Sequence, residues 1–346
     1  MKAKVTAIIL AAAFILTMTG CGKTDAPSEG SAVSTESLTE VSEPTSEDLS
    51  FLDGEVVGSI IVLNDGRGLL LYSGSYENGR EYAATLGEYK QRLGENVNVY
   101  SLVIPTSSAF YMPEKYYDEG VSARERPHIE DINANLSGVI PIDVYSALES
   151  HALNGEEQIY YKTDYHWSQL GAYYAAEKFA ETALVPFDGL SDSEKYDKKE
   201  RSSFTGNLTA LINDSHTRAR SEPFTWYEPK REVTTTTLDG REISYFQSPS
   251  TITDGDFYMV FLNGARTHTS TGLETGRRLM IVGDSFAWAF APWLFGSFDD
   301  VWLIDCRGFE ASVVELAKDK GITDLLFCTS IDIATTDTQK AIAEIM

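Results

Sequence analysis

An α/β fold built on a mainly parallel sheet is predicted by three features of the sequence. Toward the C-terminus, apolar runs at Leu279–Val282, Val301–Asp305 and Asp324–Cys328 read as buried strands. They alternate with helical segments that begin at Phe286, span Phe309–Lys318 and close the chain over Thr336–Met346. The N-terminal half repeats the alternation, with a helix over Glu81–Leu93 followed by a strand over Asn98–Ile104. Between these halves, about residues 186–255 are charged and hairpin-like, and read as a β-containing insertion into the sheet domain.

The chain opens with Lys2 and Lys4 and an apolar run from Val5 to Leu16. About a dozen residues suit a signal peptide (1–20) better than a bilayer span. Met18-Thr19-Gly20-Cys21 follows and resembles a bacterial lipobox, which makes Cys21 the candidate lipidated first residue of the mature protein. Residues 21–50 are almost all Ser, Thr, Glu, Asp, Pro, Ala and Gly, and are expected to form a disordered acidic linker. The expected location is the extracellular face of the bacterial membrane, lipid-anchored. The remainder, 51–346, is long enough for one large domain carrying an insertion. A formal net charge of −24 argues against nucleic acid as a partner and fits a neutral substrate better than a polyanion.

In order, Ser59–Leu63 and Leu69–Ser73 flank Asn64-Asp65-Gly66-Arg67-Gly68 and read as a hairpin. Tyr111–Tyr117 reads as a loop or short helix over the sheet, 127–135 as a helix, Val139–Val144 as a strand broken by Pro141, and Ser146–Ala152 as a helix. Gln158–Tyr161 is strand-like, and a helix over 168–183 is capped by Ser168. Within the insertion, Val233–Thr237 and Glu242–Phe246 form a hairpin around Asp239-Gly240, and Trp226 and Tyr227 either build a local core or stack on sugars. Phe257–Leu262 is expected to be a strand ending at Asn263. Cys306 and Cys328 are free buried thiols or a disulfide between adjacent strands. His128, His151, His216 and His268 lack partner spacing and read as surface or loop residues.

The candidate chemistry centres on Gly283-Asp284-Ser285, where a strand turns into a helix. Such a corner exposes a hydroxyl beside the free N–H groups of a helix start, although the same tripeptide also serves as an ordinary capping turn. Asp164 and His166 precede a helix; in extended backbone, residues i and i+2 share one side, so the carboxylate would orient the imidazole.

Tyr161–Trp167 (YKTDYHW) followed by Gly171-Ala172-Tyr173-Tyr174 resembles the signature of the bacterial DHHW proteins, relatives of the alginate O-acetylation proteins with an SGNH-hydrolase-like fold. Asp254–Phe257 through Gly264, Leu279–Phe286 and Val301–Arg307 are similar to that family's C-terminal half. Tyr165 departs from the pattern, standing where the family has its first histidine. The resemblance implies a three-layer α/β/α sandwich with Ser285 as nucleophile, His166 as general base and Asp164 as its orienter. The amides of Ser285 and Phe286, with Asn263 or Gly264, are the expected oxyanion donors. Arg266 orients donor or glycan, or forms a surface ion pair. The implied activity is O-acyl transfer, most simply acetyl, from an acyl donor to a polysaccharide acceptor, with a membrane-bound acyltransferase as partner. No metal or other cofactor is expected. A carbohydrate esterase with the same residues, and a non-catalytic glycan-binding lipoprotein, are the competing readings.

Overall fold

The computed structural model describes residues 53–192, 194–213 and 219–346. The signal peptide, Cys21 and the linker lie outside the described residues, as does His216. Strands β1 (Gly54–Val57), β2 (Ile60–Leu63) and β3 (Gly68–Leu70) form a small antiparallel sheet. Helix α1 (Tyr76–Leu93) leads into β4 (Asn98–Ile104), and α2 (Ser108–Tyr111), α3 (Glu114–Asp118) and α4 (Glu125–Asn135) follow. Next come β5 (Ile140–Pro141), α5 (Val144–Leu153) and α6 (Gln169–Ala183). Strands β6 (Tyr196–Phe204) and β7 (Glu222–Pro229), separated by α7 (Thr209–Asn213), pair with each other. The chain closes through β8 (Thr234–Thr237), β9 (Glu242–Ile243), β10 (Thr267–Ser270), β11 (Arg278–Gly283), α8 (Phe286–Phe290) and β12 (Asp300–Asp305). After these come α9 (Val313–Lys320), β13 (Asp324–Ser330), α10 (Ile331–Thr335) and α11 (Lys340–Glu344).

The main sheet has the order β5-β4-β13-β11-β12-β10-β8-β9. The first five strands run parallel, and β10, β8 and β9 add antiparallel at one edge. Its central strands are apolar on both faces because helices cover both. In β11, Leu279 and Ile281 face the core shared with α6 and α8, while Met280 and Val282 face that shared with α1 and α9. The result is the predicted three-layer α/β/α sandwich. Ser168 caps α6 by accepting the Gly171 N–H at 3.1 Å, as its position suggested.

Several segments differ from expectation. Phe257–Leu262 is not a strand: a 3₁₀ segment spans Asp254–Val260, followed by a 3₁₀ turn at Leu262–Gly264, so Asn263 ends no strand. Five of its six residues, Phe257, Tyr258, Val260, Phe261 and Leu262, are buried, and an apolar run buried all round carries no period by which helix and strand can be told apart. Of Val139–Val144, Ile140 and Pro141 alone pair as a strand, and Val144 already begins α5. Gln158–Tyr161 contributes a single bridge, Tyr160 to Trp167. Helix α9 starts at the Ser312 cap rather than at Phe309, and the closing segment is a 3₁₀ turn at Asp337–Gln339 followed by the short α11. Trp226 is buried against Phe224 and Phe257, and Tyr227 packs on Trp293, so both belong to the main core.

Cys306, just past the end of β12, and Cys328 in β13 are buried free thiols with β11 between those strands, which removes the adjacent-strand disulfide. The remaining described histidines are neither loop residues nor unpartnered. His128 stacks on Tyr76, His151 pairs with Glu157 at 2.8 Å, and His268 in β10 pairs with Asp300 at 2.7 Å. For His268 and the stacked ring of His128, the neighbours come from distant sequence.

Glu125 of α4 is fully buried, with both oxygens on Thr106: Oε2 takes its N–H at 2.8 Å, and Oε1 meets its hydroxyl at 2.5 Å. Burial pushes this carboxyl up to about 8, against the bonds from Thr106. In the unfolded chain the group ionises near the usual glutamate value, so between about pH 4.5 and 8 the unfolded state releases a proton that the folded state keeps. Stability therefore falls as pH rises through that window, by about 3–5 kcal/mol in total. Glu125→Gln keeps the shape without the charge. Thermal melts should show the variant more stable than wild type at pH 8 and equal to it at pH 4.5; equal melting at both would refute the assignment.

Candidate active site

The C-terminal end of β11 places Gly283 in register with Asp305 of β12 and Cys328 of β13. Asp284 turns back into the protein: Oδ1 accepts the Phe286 N–H at 3.1 Å, and Oδ2 accepts the Ser330 N–H and hydroxyl at 3.0 and 2.6 Å. These bonds pin the corner between two strand ends. Ser285 has ordinary helical dihedrals (φ −62°, ψ −21°), and its side chain caps no helix N–H, which leaves the hydroxyl available.

The Asp164–His166 loop is built from the other end of the chain. Glu222 at the start of β7 accepts the N–H groups of Lys162 and Thr163 and the Thr163 hydroxyl, at 2.8–2.9 Å. Leu208 N–H donates to the Thr163 carbonyl, and Gly206 N–H to its hydroxyl. A Cβ on Gly206 would lie 2.4 Å from Asp164 Cβ, so only glycine lets this backbone close on the loop. The loop is bent rather than extended. Asp164 and His166 meet because the His166 N–H donates to Asp164 Oδ1 at 2.9 Å, folding the imidazole back over the carboxylate.

These loops bring three side chains into line. Ser285 Oγ lies 2.7 Å from His166 Nε2, and His166 Nδ1 lies 2.7 Å from Asp164 Oδ1. Their residues are 5 %, 3 % and 1 % exposed. Asp164 Oδ2 also accepts the Asn207 N–H at 3.3 Å. The His166 ring lies flat on Tyr258, with centroids 3.8 Å apart and planes 3° from parallel, and tilts against Tyr165 at 4.0 Å. Trp167 clips the two loops together: its indole N–H donates to the Phe286 carbonyl at 3.0 Å. Ser285 and His166 open into a cavity of about 220 Å³, lined also by Tyr165, Asn207, Tyr258, Trp288 and Arg307.

Of the other expected contributors, the Phe286 N–H, Gly264 and Arg266 are engaged elsewhere. The Phe286 N–H is taken by Asp284, while that of Ser285 has no acceptor among the described residues. Gly264 (φ 76°) stands against the Trp288 ring and is not among the residues lining the cavity, and the Asn263 side chain lies outside the described residues. Arg266 acts as a strut: its Nε donates to the Asp305 carbonyl at 3.0 Å and its Nη2 to the Arg307 carbonyl, and it forms no ion pair among the described residues. It holds Arg307, which does line the cavity and whose guanidinium grips Asp305 at 2.9 and 2.6 Å. Arg307, Asn207 and Tyr258 were missed as site residues. Arg307 follows the end of β12, where the rule that located Ser285 applies equally. Among the described residues, no group of three or more His, Cys, Asp or Glu could hold a metal ion.

Comparison with known proteins gives a consistent result. The family model described as DHHW protein matches residues 33–304. The crystal structure of a DHHW family protein from Eubacterium siraeum is similar at 34 % identity, covering 84 % of this chain and 96 % of that one, with a TM-score of 0.74. PatB1 of Bacillus cereus, solved with a sulfonyl adduct, is similar at 20 % identity over 79 % of this chain and 94 % of that one, with a TM-score of 0.64. Comparison with curated protein sequences returns no match. A chain matched by the family model over most of its length, with an SGNH-like fold and a relative one-third identical across it, belongs to the DHHW family.

Proposed function

We propose that this protein is an exported, lipid-anchored serine O-acyltransferase that acetylates a cell-surface or exported polysaccharide. The carrying observation is the unbroken hydrogen-bonded line Ser285–His166–Asp164, opening into a cavity. With Nδ1–H held by Asp164, His166 presents its Nε2 lone pair to the Ser285 hydroxyl. Oγ attacks the acyl carbonyl as its proton passes to Nε2, and Nε2 then protonates the departing donor group, leaving an acyl-enzyme ester. A sugar hydroxyl next loses its proton to Nε2 and attacks that ester. The bond to Oγ breaks, and Oγ recovers the proton. The transient imidazolium is balanced by the buried Asp164 carboxylate and the face of Tyr258. The Ser285 N–H and the side chain of Asn207 are the oxyanion donors in this reading. The acyl group comes from a membrane-bound acyltransferase partner, and the lipid on Cys21 keeps the enzyme beside it.

The test uses the full chain in detergent with an aryl acetate as donor and sugar oligomers as acceptors. Wild type should take up one sulfonyl group from phenylmethylsulfonyl fluoride and transfer acetyl to sugar, and Ser285→Ala should do neither. Equal labelling of both would overturn the assignment. Hydrolysis without any transfer would convert the reading to an esterase.

A further inference from the structure

The catalytic cavity has a neighbour. Asp256 and Met259, on the 3₁₀ segment that carries Tyr258, line both the space in front of Ser285 and a second cavity of about 320 Å³. Gln247, Thr251, Ile252 and Thr253 complete the second cavity. Its side-chain donors are engaged within their own loop. Thr251 Oγ1 donates to the Ser248 carbonyl at 2.8 Å, Thr253 Oγ1 to Asp256 Oδ2 at 2.8 Å, and Gln247 Nε2 to the Ser244 carbonyl at 2.9 Å. The backbone N–H groups of Gln247, Thr251 and Asp256 likewise donate to the carbonyls of Val260, Ser248 and Thr253. What the loop leaves for a ligand is mainly acceptors: two threonine oxygens, Gln247 Oε1 and the Asp256 carboxylate. Asp256 is exposed, and Arg307, on the wall of the catalytic cavity, is held by Asp305 instead. Ile252 and Met259, both half-buried, add an apolar strip.

A surface of lone pairs beside an apolar strip suits a ligand that brings many O–H donors and C–H faces, which is the chemistry of a neutral sugar. A sugar bearing a carboxylate or phosphate brings acceptors and a negative charge against the Asp256 carboxylate, and is disfavoured. We infer that this cavity is the acceptor subsite: it seats the uncharged, unmodified sugar units that flank the hydroxyl presented to Ser285. Asp256, which walls both cavities, is its specificity-determining residue. A hydroxyl that has been acylated is no longer a donor, so an acylated stretch loses these bonds and leaves. The second cavity therefore selects the sugar, and the catalytic cavity handles the ester.

The inference rests on the polysaccharide-acyltransferase reading, and the test separates the two. Calorimetry on the full chain in detergent, carrying Ser285→Ala, reads sugar binding without reaction; the probes are cellopentaose and penta-galacturonate. Cellopentaose should bind at least about tenfold more tightly than the uronate. Adding Asp256→Asn, which trades one acceptor for a donor and removes the charge, should weaken cellopentaose binding about 5- to 30-fold and bring the uronate to within about threefold of it. Adding Thr251→Val instead should weaken cellopentaose about three- to tenfold and keep the preference over the uronate. With Ser285 restored and an aryl acetate as donor, Asp256→Asn should raise KM for cellopentaose by more than it lowers kcat. Equal binding of the two probes, binding of neither, or a Kd for cellopentaose that Asp256→Asn leaves unchanged overturns the inference, as does a loss confined to kcat. If cellopentaose binds as expected but wild type transfers no acetyl to it, the sugar subsite stands and the acyl-transfer reading fails.

Discussion

Asp164→Asn should lower acyl transfer about 10⁴-fold while the protein stays folded. The reason lies in what the carboxylate accepts. Oδ1 takes both the His166 backbone N–H and the ring Nδ1, and Oδ2 takes the Asn207 N–H. Every neighbour is a donor, and an amide offers one acceptor end and one donor end. With the amide N–H₂ turned to the ring, Nδ1 must give up its proton, the proton moves to Nε2, and Nε2 can no longer take one from Ser285. With the amide oxygen turned to the ring, N–H₂ faces the Asn207 N–H and the loop is pushed from its seat. Either arrangement leaves nucleophile and cavity present but the base disabled. Measured kcat/KM on an aryl acetate, alongside an unchanged circular dichroism spectrum, checks this. A loss below about tenfold would mean that Asp164 does not orient the base.

The largest effect on stability is expected at Gly283. A Cβ there would stand 2.0 Å from the Cys328 carbonyl oxygen and 3.3 Å from the Ala287 side chain. The first neighbour is backbone in the central strand β13, held in ladder on both sides, and cannot give way. Gly283→Ala should therefore cost about 3 kcal/mol or more and lower the melting temperature by roughly 5–10 °C. Activity should fall with it, because the displaced strand end carries Asp284 and Ser285. A melting temperature within a degree or two of wild type would show that β11 and β13 can slide apart there.

These two positions also show what the chain reveals without coordinates. The sheet was legible because its central strands are short, apolar and separated by helical stretches, and Ser285 was legible because Gly283-Asp284 ends such a strand. The Asp164–His166 couple was found by its spacing, although the physical link differs: a bent loop closed by the His166 amide, where extended backbone was expected. Oxyanion donors were assigned from helix-start geometry, but Asp284 turns inward and takes the Phe286 amide. No pattern in the sequence specifies that rotation. Tyr258 was hidden for another reason. It lies in an apolar run whose neighbours are buried all round, and its partner His166 is far away in sequence. Arg266 and Arg307 exchanged places because a sequence shows that a cation is near a strand end without showing which one is tied down.

The acid and the base sit on one short hairpin of chain and arrive as a cassette; the alcohol alone comes from elsewhere, steered in by the bond from the Trp167 indole to the Phe286 carbonyl. A gene rearrangement that carried the Lys162–Trp167 cassette to another position would move the proton-handling half intact. Besides the Glu222 and Gly206–Leu208 contacts that hold the loop, it would need a strand end with a serine and an open carbonyl for the indole to grasp. The linear order of acid, base and nucleophile is therefore under little constraint in such a scaffold, and proteins with the serine first or last can share one catalytic geometry.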